Sequence, residues 1–243
     1  IMQYLASKHG FAYCGIIHIA DGTPRLAYQR LMPRHVCQEL ENYCETTILP
    51  QYDSFDEAHQ QPHIRSVVHR ALVMADRYPV NKNMIYCAAV YHDIGCGESR
   101  EWHHLISGRI IRQDKQLLHF FSPSQIEVIA QAAEDHRASA HAAPRSLYGN
   151  IIAEADRDLN PEMVVRRTVQ FGLSQNPRAS REQHFQRVVQ HLREKYGPHG
   201  YMKLLLQDSP NRPNMERLHS IIADDTKLRE LFERFFTEEC RLR

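Results

Sequence analysis

The 243-residue sequence predicts an all-α fold preceded by an N-terminal β-hairpin. Three observations carry this. Apolar residues recur at helical spacing from Pro33 to the end of the chain. Helix-start residues (Pro62, Asn81, Ser122-Pro123, Pro161 and Ser180) stand just ahead of those stripes. Strand-type composition is confined to residues 11–30.

Residues 11–20, FAYCGIIHIA, are rich in aromatic and β-branched types, and Asp21-Gly22 marks a turn before RLAYQR. Two strands alone are marginal in water, so the hairpin is expected to pack on something else. The stretch LASKHGFAYCGIIHIADGTPRLAYQR resembles the last helix turn and final strand pair of a GNAT-type acetyltransferase. That resemblance covers about 30 residues and lacks the family's acetyl-CoA-binding Gly-rich turn. It implies the tail of an acetyltransferase domain fused upstream, itself unable to acetylate. Residues 1–32 are thus set apart from a helical domain spanning 33–243; the alternative makes the hairpin part of that domain.

Arg34–Leu49 carries a helical stripe of Val36, Leu40, Tyr43, Cys44 and Ile48. Pro50–Gln61 reads as a polar connector. Pro62 suits a first helical position, opening HIRSVVHRALVMADRY. Asn81 is expected to cap a helix running to His92, followed by a Gly-rich loop, Gly95–Ser99. Further helices are expected over Glu101–Gln113, from Ser122-Pro123 to His136, through Tyr148 to Asp156, from Pro161 to Phe171, and over Ser180–Tyr196. Asn214–Arg241 reads as a long closing helix broken near Asp224. The loop KYGPHGYMK, 195–203, is either a pocket cover or a plain connector.

Composition excludes several function classes. The net charge is +1 with both signs interspersed, which argues against a dedicated nucleic-acid or acidic-membrane binder. Six scattered cysteines without a CxxC pair read as reduced thiols and point to the cytoplasm. No apolar run approaches the ~18 residues of a membrane span, and no signal peptide is recognisable. Sixteen histidines are too many to be all ligands, so what matters is which lie on buried faces.

Ile85–Glu101, IYCAAVYHDIGCGESRE, places His92 and Asp93 at the end of an apolar run. Burying two such side chains has a cost unless something pairs with them, and a metal would pair with both. Gly95 as a helix stop with a capping His is the plainer reading. His63 lies on the edge of the stripe of Ile64, Val67 and Ala71, and is preferred over His69, which points about 240° away. His104 is followed at i+4 by Gly108 and at i+7 by Ile111; its neighbour His103 is placed at the pocket rim. His136 follows Ala133 and Ile129 on a buried face, and Asp156 follows Ile152 and Ala153, where an acid asks for a counter-charge.

Read whole, the order His63, His92-Asp93, His104, His136, Asp156 resembles the HD-domain metal-dependent phosphohydrolase superfamily over about residues 34–220. HIRSV resembles the first-His helix, AAVYHDIG the signature and AEADRD the final Asp. The resemblance implies an HD-type helical bundle with one or two divalent metals among Mn, Fe, Ni, Mg, Co and Zn. His63, His92, Asp93 and Asp156 would hold one ion, and Asp93, His104 and His136 the other. His92 and Asp93 would be catalytic.

The implied reaction is hydrolysis of a phosphomonoester or phosphodiester, nucleotide-like or otherwise small, by a metal-activated water. Arg137 and Arg145, with His103, are candidate substrate contacts because a guanidinium fork suits phosphate. A small phosphorylated molecule is the expected partner, with a homodimer left open. Two other classes compete: a di-iron oxygenase built on the same ligand types, and a non-catalytic nucleotide-sensing module.

Overall fold

The run Met84–Tyr91 has no polar face, and a helix apolar on every side must be surrounded. In the computed structural model, which describes residues 11–18, 21–30, 35–55, 60–137 and 142–242, it is the central helix of the fold. All eight of those residues are buried, and Cys87, Ala88, Ala89, Val90 and Tyr91 have no exposed surface.

Two strands come first, β1 (Phe11–His18) and β2 (Pro24–Arg30), antiparallel, from Phe11 opposite Arg30 to His18 opposite Pro24. The helices follow: α1 (Gln38–Tyr43), α2 (Gln61–Ala75), α3 (Lys82–Tyr91), α4 (His103–Gln113), α5 (Pro123–Glu134), α6 (Leu147–Asp156), α7 (Pro161–Gln175), α8 (Arg181–Tyr196), α9 (Arg212–Ala223) and α10 (Asp225–Arg241). α3 packs on α2, α5 and α6, and α4 packs on α5. A second group is built from α7, α8, α9 and α10.

The expected fold class needs correction. An all-α bundle preceded by a β-hairpin was expected, and the helical body alone defines the fold class. From Gln38 to Arg241 every regular element among the described residues is helical, so the body is all-helical. Among the described residues the two strands form a sheet only with each other and add no layer to that body. The expected acetyltransferase helix turn falls in residues 1–10, outside the described ones. The body also has two hydrophobic cores. One runs from Leu40 to Ala155 and includes Leu206; the other runs from Leu159 to Phe236.

The boundaries show local chemistry at work. Asn81 caps α3 by accepting from the Asn83 N–H. Ser122 and Ser180 each form a capping box, with Gln125 and Gln183 at N3. Asp224 ends α9 and caps α10 through the Thr226 and Lys227 N–H groups, which is the break expected there. The first helix is shorter than its stripe. It leaves α geometry as a π turn at Cys44–Ile48 and a 3-10 turn at Leu49–Ser54, because Pro50 has no N–H to continue the ladder. The expected polar connector therefore contains a core residue, Tyr52, whose hydroxyl donates to the Val90 carbonyl at 2.6 Å.

Candidate metal centre

α3 ends at Tyr91, and His92 and Asp93 form the turn that leaves it. Asp93 has φ −108° and ψ 5°, the sparsely populated bridge region where turn and active-site residues sit. Its backbone turns its carboxylate into the space where α2, α4, α5 and α6 meet. His92 has no exposed surface and Asp93 is 4% exposed.

Two groups of ligand-type side chains share Asp93. His63 of α2, His92, Asp93 and Asp156 at the end of α6 make the first. His63 Nε2 lies 3.5 Å from Asp93 Oδ2 and 3.2 Å from Asp156 Oδ1. His92 Nε2 lies 3.1 Å from Asp93 Oδ2 and 3.6 Å from Asp156 Oδ1. Asp93, His103 and His136 make the second, with Asp93 Oδ1 3.4 Å from His103 Nε2 and 3.3 Å from His136 Nε2. Asp93 thus turns one oxygen to each group.

Three of these imidazoles are oriented by backbone carbonyls three residues upstream. His92 Nδ1 donates to Ala89 at 2.8 Å, His136 Nδ1 to Ala133 at 2.6 Å, and His103 Nδ1 to Arg100 at 2.8 Å. With the proton held on Nδ1, each Nε2 presents a lone pair to the site. His103 Nε2 and His136 Nε2 then face each other at 3.1 Å, acceptor to acceptor. His92 Nε2 is buried without a hydrogen-bond donor. Converging acceptors of this kind are satisfied by a cation, and the mixed imidazole and carboxylate donor set fits a divalent metal. The residues present therefore fit the ion that the sequence resemblance implies.

Without an ion, protons fill the same role. Burial pushes the His92 imidazole down, but the charges of Asp93 and Asp156 outweigh it and hold its pKa well above the ordinary value. His63 is raised for the same reason, burial opposing and Asp156 and Asp93 prevailing. Burial pushes the Asp93 and Asp156 carboxyls up, and the surrounding imidazoles pull both below the carboxylate range. His103 moves the other way, lowered by burial and then by His136.

The structure corrects two expected site residues. His104 belongs to neither group, and His103 takes the place assigned to it. α4 has two inward faces. The Ser107 hydroxyl, one turn after His103, accepts the Gly95 N–H at 3.0 Å, so the 103–107 face meets the His-Asp turn. The 104–108–111 face meets α5 instead: a Cβ on Gly108 would strike the Glu134 side chain. His104 Nδ1 is buried there without a partner, and burial lowers its pKa to about 4. The close approach that places His103 depends on Gly95, where a Cβ would collide with the His103 carbonyl and lie 2.8 Å from Ile106 Cβ. Arg145 is the second correction. Its guanidinium is held by Asp135 at 2.8 Å and Glu134 at 2.6 Å, away from the cavity over the site.

That cavity, of about 530 Å³, opens above His63, Asp93, His103, His136 and Asp156. Arg137 borders it as expected, with one nitrogen donating to the Glu101 carbonyl at 2.9 Å. Leu159, Val164, Tyr196 and Met202 of the second core also line it. Arg157, Arg167, Arg187 and Lys195 border it too, and none was singled out from sequence as a substrate contact. Arg157 follows Asp156 directly, which was a usable signal; nothing local marks Arg187 or Lys195. Tyr196 and Met202, at the two ends of the loop after α8, also line the cavity, so that loop borders the pocket.

Residues 62–160 match the family model of the HD domain. This chain contains an HD domain. The match supports the HD-domain resemblance over those residues, and His63, His92, Asp93, His103, His136 and Asp156 all fall inside them. The acetyltransferase likeness lies outside that match and stays an expectation. No curated protein and no solved structure matches the chain. Among the described residues no helix is long and apolar enough to cross a membrane.

Proposed function

We propose that this HD domain is a phosphohydrolase acting on a small, multiply charged phosphate ester. The observation that carries the reading is the joining of the acceptor-lined His-Asp centre to a cavity bordered by six cationic side chains, Arg100, Arg137, Arg157, Arg167, Arg187 and Lys195. Its volume lies in the range of small-ligand sites, about 300–1,000 Å³. Nucleotides and sugar phosphates are of that size.

One or two divalent ions would be held by His63, His92, Asp93 and Asp156 and by Asp93, His103 and His136. When bound, they supply positive charge for the phosphoryl oxygens and a water acidic enough to ionise near neutral pH. The reaction is attack of water oxygen on phosphorus, breaking the P–O ester bond, with the leaving oxygen taking up a proton. Asp93 ties the two groups together through its two oxygens. His92, fully buried, fixes the position of Asp93 beside it. Arg137 is placed to neutralise substrate charge on the open side.

The test is metal analysis of the purified chain with a phosphate-release screen over nucleotides and sugar phosphates in Mn, Mg, Ni, Co and Fe. Release that depends on metal and disappears in His92→Ala and Asp93→Ala supports the reading. Two irons with substrate-dependent oxygen uptake and no phosphate release would replace it with an oxygenase. No turnover in any metal would leave a binding module.

A further inference from the structure

The cavity over the His-Asp centre is lined by more cations than one phosphate needs, and two of them are incompletely satisfied. Arg157 is 9% exposed. One terminal nitrogen donates to the Lys203 carbonyl, and its Nε is buried without any partner. Arg187 of α8 donates one terminal nitrogen to the Thr168 carbonyl, and its Nε is likewise buried and unpartnered. Neither forms an ion pair among the described residues, and burial lowers the pKa of both. Both border the same cavity as the His-Asp centre.

A buried guanidinium is normally paired with an acid, because an unpaired charge or donor in a dry setting costs several kcal/mol. Even the exposed Arg112 and Arg145 find carboxylates, Glu127 and Glu134 for the first and Asp135 and Glu134 for the second. Among the cavity residues, Arg167 is paired with Asp158 at 3.0 Å. Arg157 and the half-buried Arg187 stand out because their hydrogen bonds go to backbone carbonyls and neither has a carboxylate at ion-pair distance among the described residues; Glu154 and Asp156 act on Arg157 only from farther away. Lys195, half-buried on the next turns of α8, adds a third cation to the same cavity.

We propose that Arg157 and Arg187 form a second anion subsite, and that the substrate carries two phosphoryl groups, one at the His-Asp centre and one on these guanidinium groups. The assignment of the first group rests on the hydrolase reading above; the second stands on the arginines. Phe171, 59% exposed and 5.5 Å beneath the Arg187 guanidinium, gives the bridging part of the substrate an apolar surface beside that subsite.

The experiment has two arms. In the first, inorganic phosphate is titrated calorimetrically into the chelator-treated chain, as wild type, Arg187→Gln, Arg157→Gln and His136→Ala. Binding lost in both arginine variants and kept in His136→Ala supports the subsite, even if no turnover is ever found. Binding unchanged in the arginine variants, or lost only in His136→Ala, overturns it. In the second, kcat/KM is compared for adenosine 5′-monophosphate and adenosine 3′,5′-bisphosphate. The bisphosphate is favoured in wild type, and Arg187→Gln lowers the bisphosphate-to-monophosphate ratio about tenfold, the worth of one charged hydrogen bond. Equal losses on both substrates would overturn the proposal while leaving the hydrolase intact. Near-ultraviolet circular dichroism of the variants separates a lost subsite from a lost fold.

Discussion

Replacing His103 and His104 one at a time separates two adjacent residues that sequence alone ranks in the wrong order. His103 Nε2 lies 3.4 Å from Asp93 Oδ1 and 3.1 Å from His136 Nε2, and its ring is oriented by the Arg100 carbonyl. Removing it leaves Asp93 and His136 as the only protein ligands of the second group. Loss of a partner that merely supports a ligand costs about 10–100-fold in metal affinity, and loss of a ligand costs at least as much, or about 1.4–2.7 kcal/mol. His104 offers nothing to either group and has a buried, unpaired Nδ1. His104→Ala should leave metal affinity unchanged and shift stability by no more than about 1 kcal/mol. Metal per chain after dialysis, with a calorimetric Mn titration of both variants, reads the difference. The expected result is one weakened site in His103→Ala and none in His104→Ala. The opposite pattern would refute the assignment of the 103–107 face to the His-Asp turn.

The remaining predictions follow from neighbouring contacts. Gly95→Ala forces a methyl against the His103 carbonyl and should cost about 1–3 kcal/mol by overpacking, with loss of the second site ahead of the first; thermal unfolding and metal content check both. Glu154 is fully buried and accepts from the Leu205 and Leu206 N–H groups and the Ser209 hydroxyl; Glu154→Ala orphans these donors and should cost about 3 kcal/mol, with faster proteolysis in residues 203–211. Metal affinity should depend on pH with a definite sign. His63 and His92 are raised above 6.5 in the metal-free chain, so their stabilising contribution is full below 6.5 and is lost as pH rises through the raised values. Asp93 and Asp156 are lowered below 3.8, so theirs is present above 3.8 and is lost as pH falls through the lowered values. The metal-free chain should therefore melt highest between about pH 4 and 6.5, whereas metal affinity should climb as pH rises and the imidazoles give up their protons. A metal-free melting temperature that rises steadily to pH 8 would count against the proton-filled arrangement.

The sequence by itself determined the helices and most of the ligand set. Its signals there are local: Asn81, Ser122 and Ser180 mark helix starts through bonds within three residues, Pro161 marks one through its fixed backbone angle, and the apolar run Met84–Tyr91 marks a buried helix. His63, His92, Asp93, His136 and Asp156 were legible because each sits on or just past the apolar stripe of its own helix. The choice between His103 and His104 was not legible. Both lie at inward positions of α4, and only the packing of Gly95 on one face and Glu134 on the other decides which face meets Asp93. Arg145 looked like a phosphate contact until its carboxylate partners were in view. The cationic lining of Arg157, Arg187 and Lys195 was invisible for the same reason: a charge becomes part of a site through the neighbours that do or do not neutralise it, and those neighbours come from distant parts of the chain. The second core likewise became visible only once the helices were packed. Local bonds set the elements, and long-range packing decides which of their faces share a cavity.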